Sequence, residues 1–120
     1  MKIVYASRTG NVQSIVDQLN QTDILKIESG NEVVDQDYIL ITYTDGQGIV
    51  PPVVESFLKK NHSYLKGVIA SGNTERHADT FAWAADVVSN MYHVPTLYKV
   101  EGKGTPDDIQ AIESKIKEFN

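Results

Sequence analysis

The sequence predicts a doubly wound α/β sandwich of three layers, with one parallel sheet of five strands in the order 2-1-3-4-5 between two layers of helices. Three observations lead there. Strand-like apolar runs alternate with helix-period segments along all 120 residues, the pattern of a parallel sheet built from βαβ units. The run Tyr38-Ile39-Leu40-Ile41-Thr42-Tyr43 is almost continuously apolar and rich in β-formers, as a central strand covered on both faces must be. The segments after the first, third and fourth strands are rich in Gly, Ser, Thr and Asn, and these are the segments that converge where the strand order of such a sheet reverses.

The elements follow in order. Ile3-Val4-Tyr5-Ala6 is the first strand. Val12, Ile15, Val16 and Leu19 recur at helical spacing and mark the first helix. Ile24-Leu25-Lys26-Ile27 is the second strand. The polar stretch 29–37 allows at most one turn of helix. Tyr38–Tyr43 is the third strand and ends in the loop Thr44-Asp45-Gly46-Gln47-Gly48. Pro51-Pro52 opens a helix carrying Val53, Val54, Phe57 and Leu58, because proline is tolerated in a first turn. Leu65–Ala70 is the fourth strand and Ser71–His77 a second long polar loop. A helix from about Thr80 to Tyr92 is expected to bury Phe81, Ala84, Ala85, Val88 and Met91, with Trp83 packed at core-like spacing. Thr96–Val100 is the fifth strand. Thr105-Pro106-Asp107-Asp108 is a strong helix start, with a capping hydroxyl, proline at the first position and an acid three residues on; Ile109, Ile112, Ile116 and Phe119 follow on one face. No repeat, linker or low-complexity segment interrupts the pattern, so residues 1–120 read as one domain.

Composition narrows the function. Net charge is -5 with no basic cluster, which argues against nucleic acid as a partner. There is no membrane-spanning run and no secretion signal, so a cytoplasmic protein without membrane association is expected. The chain has no cysteine, which excludes thiol redox chemistry, disulfides and cysteine-ligated clusters; any redox work falls to a bound cofactor. No His/Asp/Glu set has metal-ligand spacing and no Ser-His-Asp arrangement stands out, so neither a metal site nor side-chain catalysis is expected.

The strongest local signal is Ser7-Arg8-Thr9-Gly10-Asn11-Val12, between the first strand and the first helix. N–H groups at the start of a helix lack intrahelical partners and carry the positive end of its dipole, so such a turn suits an anion. Ser7 and Thr9 offer hydroxyls, Gly10 admits close approach and Asn11 is expected as the N-cap. Arg8, at the variable position, is expected to point into water. Neither G-x-x-x-x-G-K-[ST] nor G-x-G-x-x-G is present, which leaves a cradle for a single phosphate. The other two convergent loops, about Thr42–Gly48 and Ser71–His77, carry much glycine and amide and few charges. With an aromatic wall from Tyr43, Phe81 or Trp83 they suit a flat polar ring. One phosphate with one such ring describes flavin mononucleotide, FMN.

On these residues the chain resembles the NrdI family, flavodoxin-like proteins that stimulate class Ib ribonucleotide reductase. The phosphate loop is similar to that of flavodoxins at large. The short length, Thr44–Gly48, Pro51-Pro52 and Ser71-Gly72-Asn73-Thr74 are similar to the narrower family. The resemblance implies that Ser7, Thr9, Gly10, Asn11 and Val12 hold the FMN phosphate. It implies that Thr42, Tyr43, Thr44, Gly46, Gln47 and Gly48 border one side of the ring, and Ser71, Gly72, Asn73 and Thr74 the other, with His77 and Phe81 at the edge of that loop. A peptide flip at Gly72 would tune the flavin through its N5 position. The implied role is an FMN redox accessory protein whose reduced flavin reacts with O₂. It supplies superoxide or a related species that assembles the dimanganese-tyrosyl radical of the small subunit. The implied partners are that small subunit (dimanganese or diiron), an unidentified flavin reductase and O₂. An ordinary flavodoxin-type electron carrier and a non-redox phosphate-ligand binding module are the alternatives.

Overall fold

The computed structural model describes residues 1–44, 49–73 and 82–119. The described elements are β1 (Lys2–Tyr5), α1 (Asn11–Gln18), β2 (Ile24–Lys26), β3 (Tyr38–Tyr43), α2 (Pro52–Asn61), a short 3-10 turn (His62–Tyr64), β4 (Leu65–Gly72), α3 (Trp83–Tyr92), β5 (Thr96–Glu101) and α4 (Pro106–Lys117). All strand pairs are parallel and their order is β2-β1-β3-β4-β5, as the alternation of elements predicts.

β3 is the middle of the sheet, and its side chains feed both layers of core. Ile39 and Ile41 point to one face, with Ile3, Ile69, Ile15 of α1 and Ile112 and Ile116 of α4. Tyr38 and Leu40 point to the other, with Val4, Val68, Phe57 and Leu58 of α2 and Ala84, Ala85 and Val88 of α3. The two-residue period of a strand therefore sorts consecutive residues between the layers, and both halves are buried. Tyr38 meets Phe57 edge to face, with ring centroids 5.6 Å apart. Its hydroxyl donates to the Asn61 carbonyl at 3.0 Å, so the polar end of a fully buried ring is satisfied.

α4 starts as its sequence requires. The Thr105 hydroxyl accepts from the Asp108 N–H, and the Asp108 carboxylate accepts from the Thr105 N–H at 2.8 Å. Asp108 also accepts from the Tyr98 hydroxyl at 2.6 Å, which ties the helix start to β5 and holds its carboxyl below the ordinary range.

β2 and β3 are joined without a helix. The connection is held instead by polar groups that the chain itself supplies. Glu32 folds back so that its carboxylate accepts from the N–H groups of Glu28, Ser29 and Gly30 at 2.8–3.0 Å. Asn61, buried at the end of α2, accepts from the Val34 N–H through Oδ1 and donates through Nδ2 to the Glu32 and Phe57 carbonyls.

Three expectations change. β4 is two residues longer than its apolar run, because Ser71 and Gly72 pair with Val100 and Glu101 of β5 and are strand, not loop. The described part of α3 begins at Trp83; Thr80 and Phe81 lie outside the described residues. Met91 and Trp83 are not core. Met91 is 60% exposed and Trp83 47%, for α3 carries more apolar residues than one buried face can hold. Met91 instead lines a groove of about 270 Å³ between α2 and α3, with Ile49, Leu58, Val88 and Tyr92. Among the described residues no helix is long and apolar enough to cross a membrane.

Candidate functional site

The carboxyl ends of β1, β3 and β4 lie side by side, fixed by pairing across the sheet. The Ala6 N–H donates to the Ile41 carbonyl at 3.1 Å, and Tyr43 pairs with Ser71. The ladder runs one step further, with the Thr44 N–H on the Ser71 carbonyl at 3.0 Å. The loops that leave these ends therefore start from neighbouring points on one edge.

The loop after β1 turns sharply into α1. Gly10 occupies the cap position with φ +95°, a left-handed conformation that favours glycine. This corrects the assignment of Asn11 as N-cap: Asn11 is the first helical residue, because the turn needs positive φ at the residue before it. The capping oxygen comes from further upstream. Ser7 Oγ accepts from the Gln13 N–H at 3.2 Å. Gln13 is itself held, accepting from the Tyr5 hydroxyl at 2.8 Å and donating to Asp17 at 2.9 Å. Sequence reasoning missed Gln13; its one signal is a position in the first turn, six residues beyond Ser7.

What this leaves is a set of free donors. The N–H groups of Thr9, Gly10, Asn11 and Val12 have no hydrogen-bond partner among the described residues. A Cβ placed on Gly10 would meet nothing within 4 Å, so the space over the loop is open. Thr9 is exposed and Val12 is buried beneath, facing the core. The loop holds no carboxylate, and Arg8 is its one formal charge.

Arg8 does not simply enter solvent. Its guanidinium carbon lies 5.2 Å from the centroid of the Tyr43 ring, at cation–π distance. Arg8 is exposed, as expected of an arginine directed into water, and makes this ring contact as well. The contact crosses from the loop after β1 to the tip of β3. Tyr43 is half-buried and packs against both core layers.

At the end of β3, Thr42 is fully buried and its hydroxyl donates to the Tyr43 carbonyl at 2.9 Å. Thr42 thus supports the site from within. Thr44 differs: its hydroxyl oxygen is buried and has no partner among the described residues. An unpaired buried hydroxyl costs free energy unless a ligand or neighbour meets it.

At the end of β4, Ser71 is buried, Gly72 half-buried and Asn73 exposed. The Gly72 carbonyl accepts from the Gly102 N–H at 2.9 Å. A fourth loop, residues 102–104 after β5, therefore adjoins the candidate site, and a Cβ on Gly102 would lie 3.9 Å from the Asn11 side-chain nitrogen. Its signal was present in Gly102-Lys103-Gly104, a glycine-bearing loop at the same sheet edge. Gly46, Gln47, Gly48, Thr74, His77 and Phe81 lie outside the described residues.

The chain matches the family model described as NrdI flavodoxin-like over residues 3–114. It is similar to Protein NrdI of Bacillus licheniformis, with 42% identity over 117 residues, covering 98% of this chain and 88% of that one. In structure it is similar to a short-chain flavodoxin associated with a non-canonical PDU bacterial microcompartment, with TM-score 0.70 and 18% identity over 97% of this chain and 93% of that one. It is also similar to oxidised flavodoxin 1 from Bacillus cereus, with TM-score 0.65 and 16% identity over 98% and 97% of the two chains. The two structural likenesses establish a flavodoxin-like fold, and the sequence matches are more specific: this chain belongs to the NrdI flavodoxin-like family.

Proposed function

We propose that the protein binds FMN at this edge of the sheet and serves class Ib ribonucleotide reductase as a redox accessory protein. The observation that carries the reading is the row of unpartnered N–H groups from Thr9 to Val12 under open space at Gly10, beside the tip of β3. A phosphate monoester fits that donor set, which has neutral hydroxyls and a helix start but no carboxylate. The unpaired Thr44 hydroxyl, one strand away, fits a polar ring edge.

In this reading Ser7 holds the Gln13 N–H and so fixes the first turn of α1, while Thr9, Gly10, Asn11 and Val12 present N–H donors to the phosphate. Tyr43 and Thr44 border the ring on the β3 side, Ser71, Gly72 and Asn73 on the β4 side. The Gly72 carbonyl is held by Gly102, so a flip of that peptide toward the flavin would give up this bond. The chemistry that FMN would supply when bound here is reduction of O₂ to superoxide, for assembly of the manganese-tyrosyl radical in the small subunit. The metal belongs to the partner.

The test is radical yield. The FMN-loaded protein is reduced, mixed with a Mn(II)-loaded class Ib small subunit and exposed to O₂, and tyrosyl radical is quantified by electron paramagnetic resonance. Radical that depends on this protein supports the reading. Bound flavin without radical above the protein-free control supports an electron carrier. A protein that leaves added FMN fully fluorescent supports neither.

A further inference from the structure

The contact between Arg8 and Tyr43 joins the two loops that the flavin reading assigns to different parts of the ligand. Arg8 belongs to the phosphate loop by sequence, yet its guanidinium sits over the ring of Tyr43, at the tip of β3. We propose, on the basis of the FMN reading, that Arg8 serves the ring side of the site: it is a positioning residue that acts through Tyr43, and it does not read the phosphate.

Three features support this. The phosphate side already has its donors in the N–H groups of Thr9 to Val12, which have no partner among the described residues. A second cation adjoins that side along the chain: Lys103 follows Gly102, whose Cβ position lies 3.9 Å from Asn11 Nδ2. And Tyr43 needs a clamp. It is half-buried with its ring against both core layers, and the described structure gives its hydroxyl no hydrogen bond that would fix the ring. A guanidinium over the ring face restrains it through the ring's quadrupole. The ring then presents one orientation to an incoming isoalloxazine, and ordering cost at binding is reduced.

Riboflavin separates the two roles, since it has the ring without the phosphate. Dissociation constants for FMN and riboflavin are measured by flavin fluorescence quenching on wild type, Arg8→Ala, Arg8→Lys, Tyr43→Leu and the double variant. Arg8→Ala is expected to weaken both flavins by the same factor, about two- to fivefold for an exposed cation–π contact. Arg8→Lys restores part of the loss, and the effect of Arg8→Ala disappears in the Tyr43→Leu background. Loss of FMN affinity with riboflavin binding unchanged overturns the proposal and assigns Arg8 to the phosphate. No change in either, or equal losses with and without Tyr43, overturns it as well. Wild type that binds neither flavin overturns the FMN reading and this proposal with it. Circular dichroism melting of each variant separates weak binding from loss of fold.

Discussion

Two turns of this chain gather backbone N–H groups, and they treat them in opposite ways. In the turn after β2, the N–H groups of Glu28, Ser29 and Gly30 close on the carboxylate of Glu32. In the turn after β1, those of Thr9 to Val12 close on nothing among the described residues. The glycines differ in the same sense. Both have positive φ, but a Cβ on Gly30 would stand 2.9 Å from Ser56 Cβ and from the Val53 carbonyl, while a Cβ on Gly10 would meet open space. The first turn carries its own anion and is packed shut, a replacement for the helix missing there. The second has no anion of its own among the described residues and stays open, which is what the proposed phosphate site requires. A donor cluster is thus a ligand site only where the protein has declined to fill it.

The most damaging way to break the contrast is at Asn61, which fastens the filled turn to α2. Asn61→Ala leaves the Val34 N–H without its buried acceptor and removes two donated bonds. A loss of about 3 kcal/mol in urea unfolding is expected, with FMN affinity of the folded fraction unchanged. Glu32 comes next. Burial pushes its carboxyl up, but the bonds from Ser29, Glu28, its own N–H and Gly30 outweigh this and bring it from 4.5 to about 2. The folded-state value is depressed, so the stabilisation is fully present above the ordinary carboxylate range. It is lost as pH falls through that range toward the folded value. Glu32→Gln is expected to cost about 1–2 kcal/mol at neutral pH once solvent screening is allowed for, and less as pH falls. Its unfolding free energy converges with that of wild type between pH 5 and pH 2, roughly the window the shift sets.

The open turn should behave the other way, with binding more sensitive than stability. Gly10→Ala puts a side chain at φ +95° without any clash. About 1 kcal/mol of stability is expected to go in backbone strain, while FMN affinity falls about tenfold, measured by fluorescence titration. The smallest effect on stability is expected at Thr44. Thr44→Val removes a buried hydroxyl that has no partner among the described residues and keeps the shape. Melting temperature stays level or rises slightly, and flavin binding weakens. If stability instead dropped by more than about 1 kcal/mol, the hydroxyl would have a partner in the folded chain and its place in the ring site would lose support.

The fold was legible because its signals are local or periodic. Tyr38–Tyr43 announces a central strand by its apolar run, and Thr105 to Asp108 announces a helix start by capping chemistry, so both appear where expected. The adjacency of the carboxyl ends of β1, β3 and β4 followed from strand order alone. What stayed hidden depends on space. Gly10 and Asn11 are both good residues at a helix start, and only the φ of the turn decides between them. The cation–π contact of Arg8 with Tyr43 joins residues 35 positions apart, and no pattern near either announces it. The burial of Asn61 follows from a helix that is absent after β2, and its amide fills a place that sequence periodicity assigns to apolar side chains. On α3, apolar residues at nearly every turn mask which face is covered, so Met91 and Trp83 read as core although both are largely open.

The strand order also sets how the molecule must come together. β1 lies between β2 and β3, Lys2 pairs with Tyr38, and Tyr38 in turn pairs with Leu65. No two neighbouring strands are joined by a hairpin, so each pairing closes a long loop before it is rewarded, which makes for slow folding. The loop after β1 and the end of β3 come onto one edge only when β1 and β3 are in register. Quenching of flavin fluorescence during refolding would therefore follow the pairing of β1 with β3, and the ligand would report that long-range closure without guiding the steps before it.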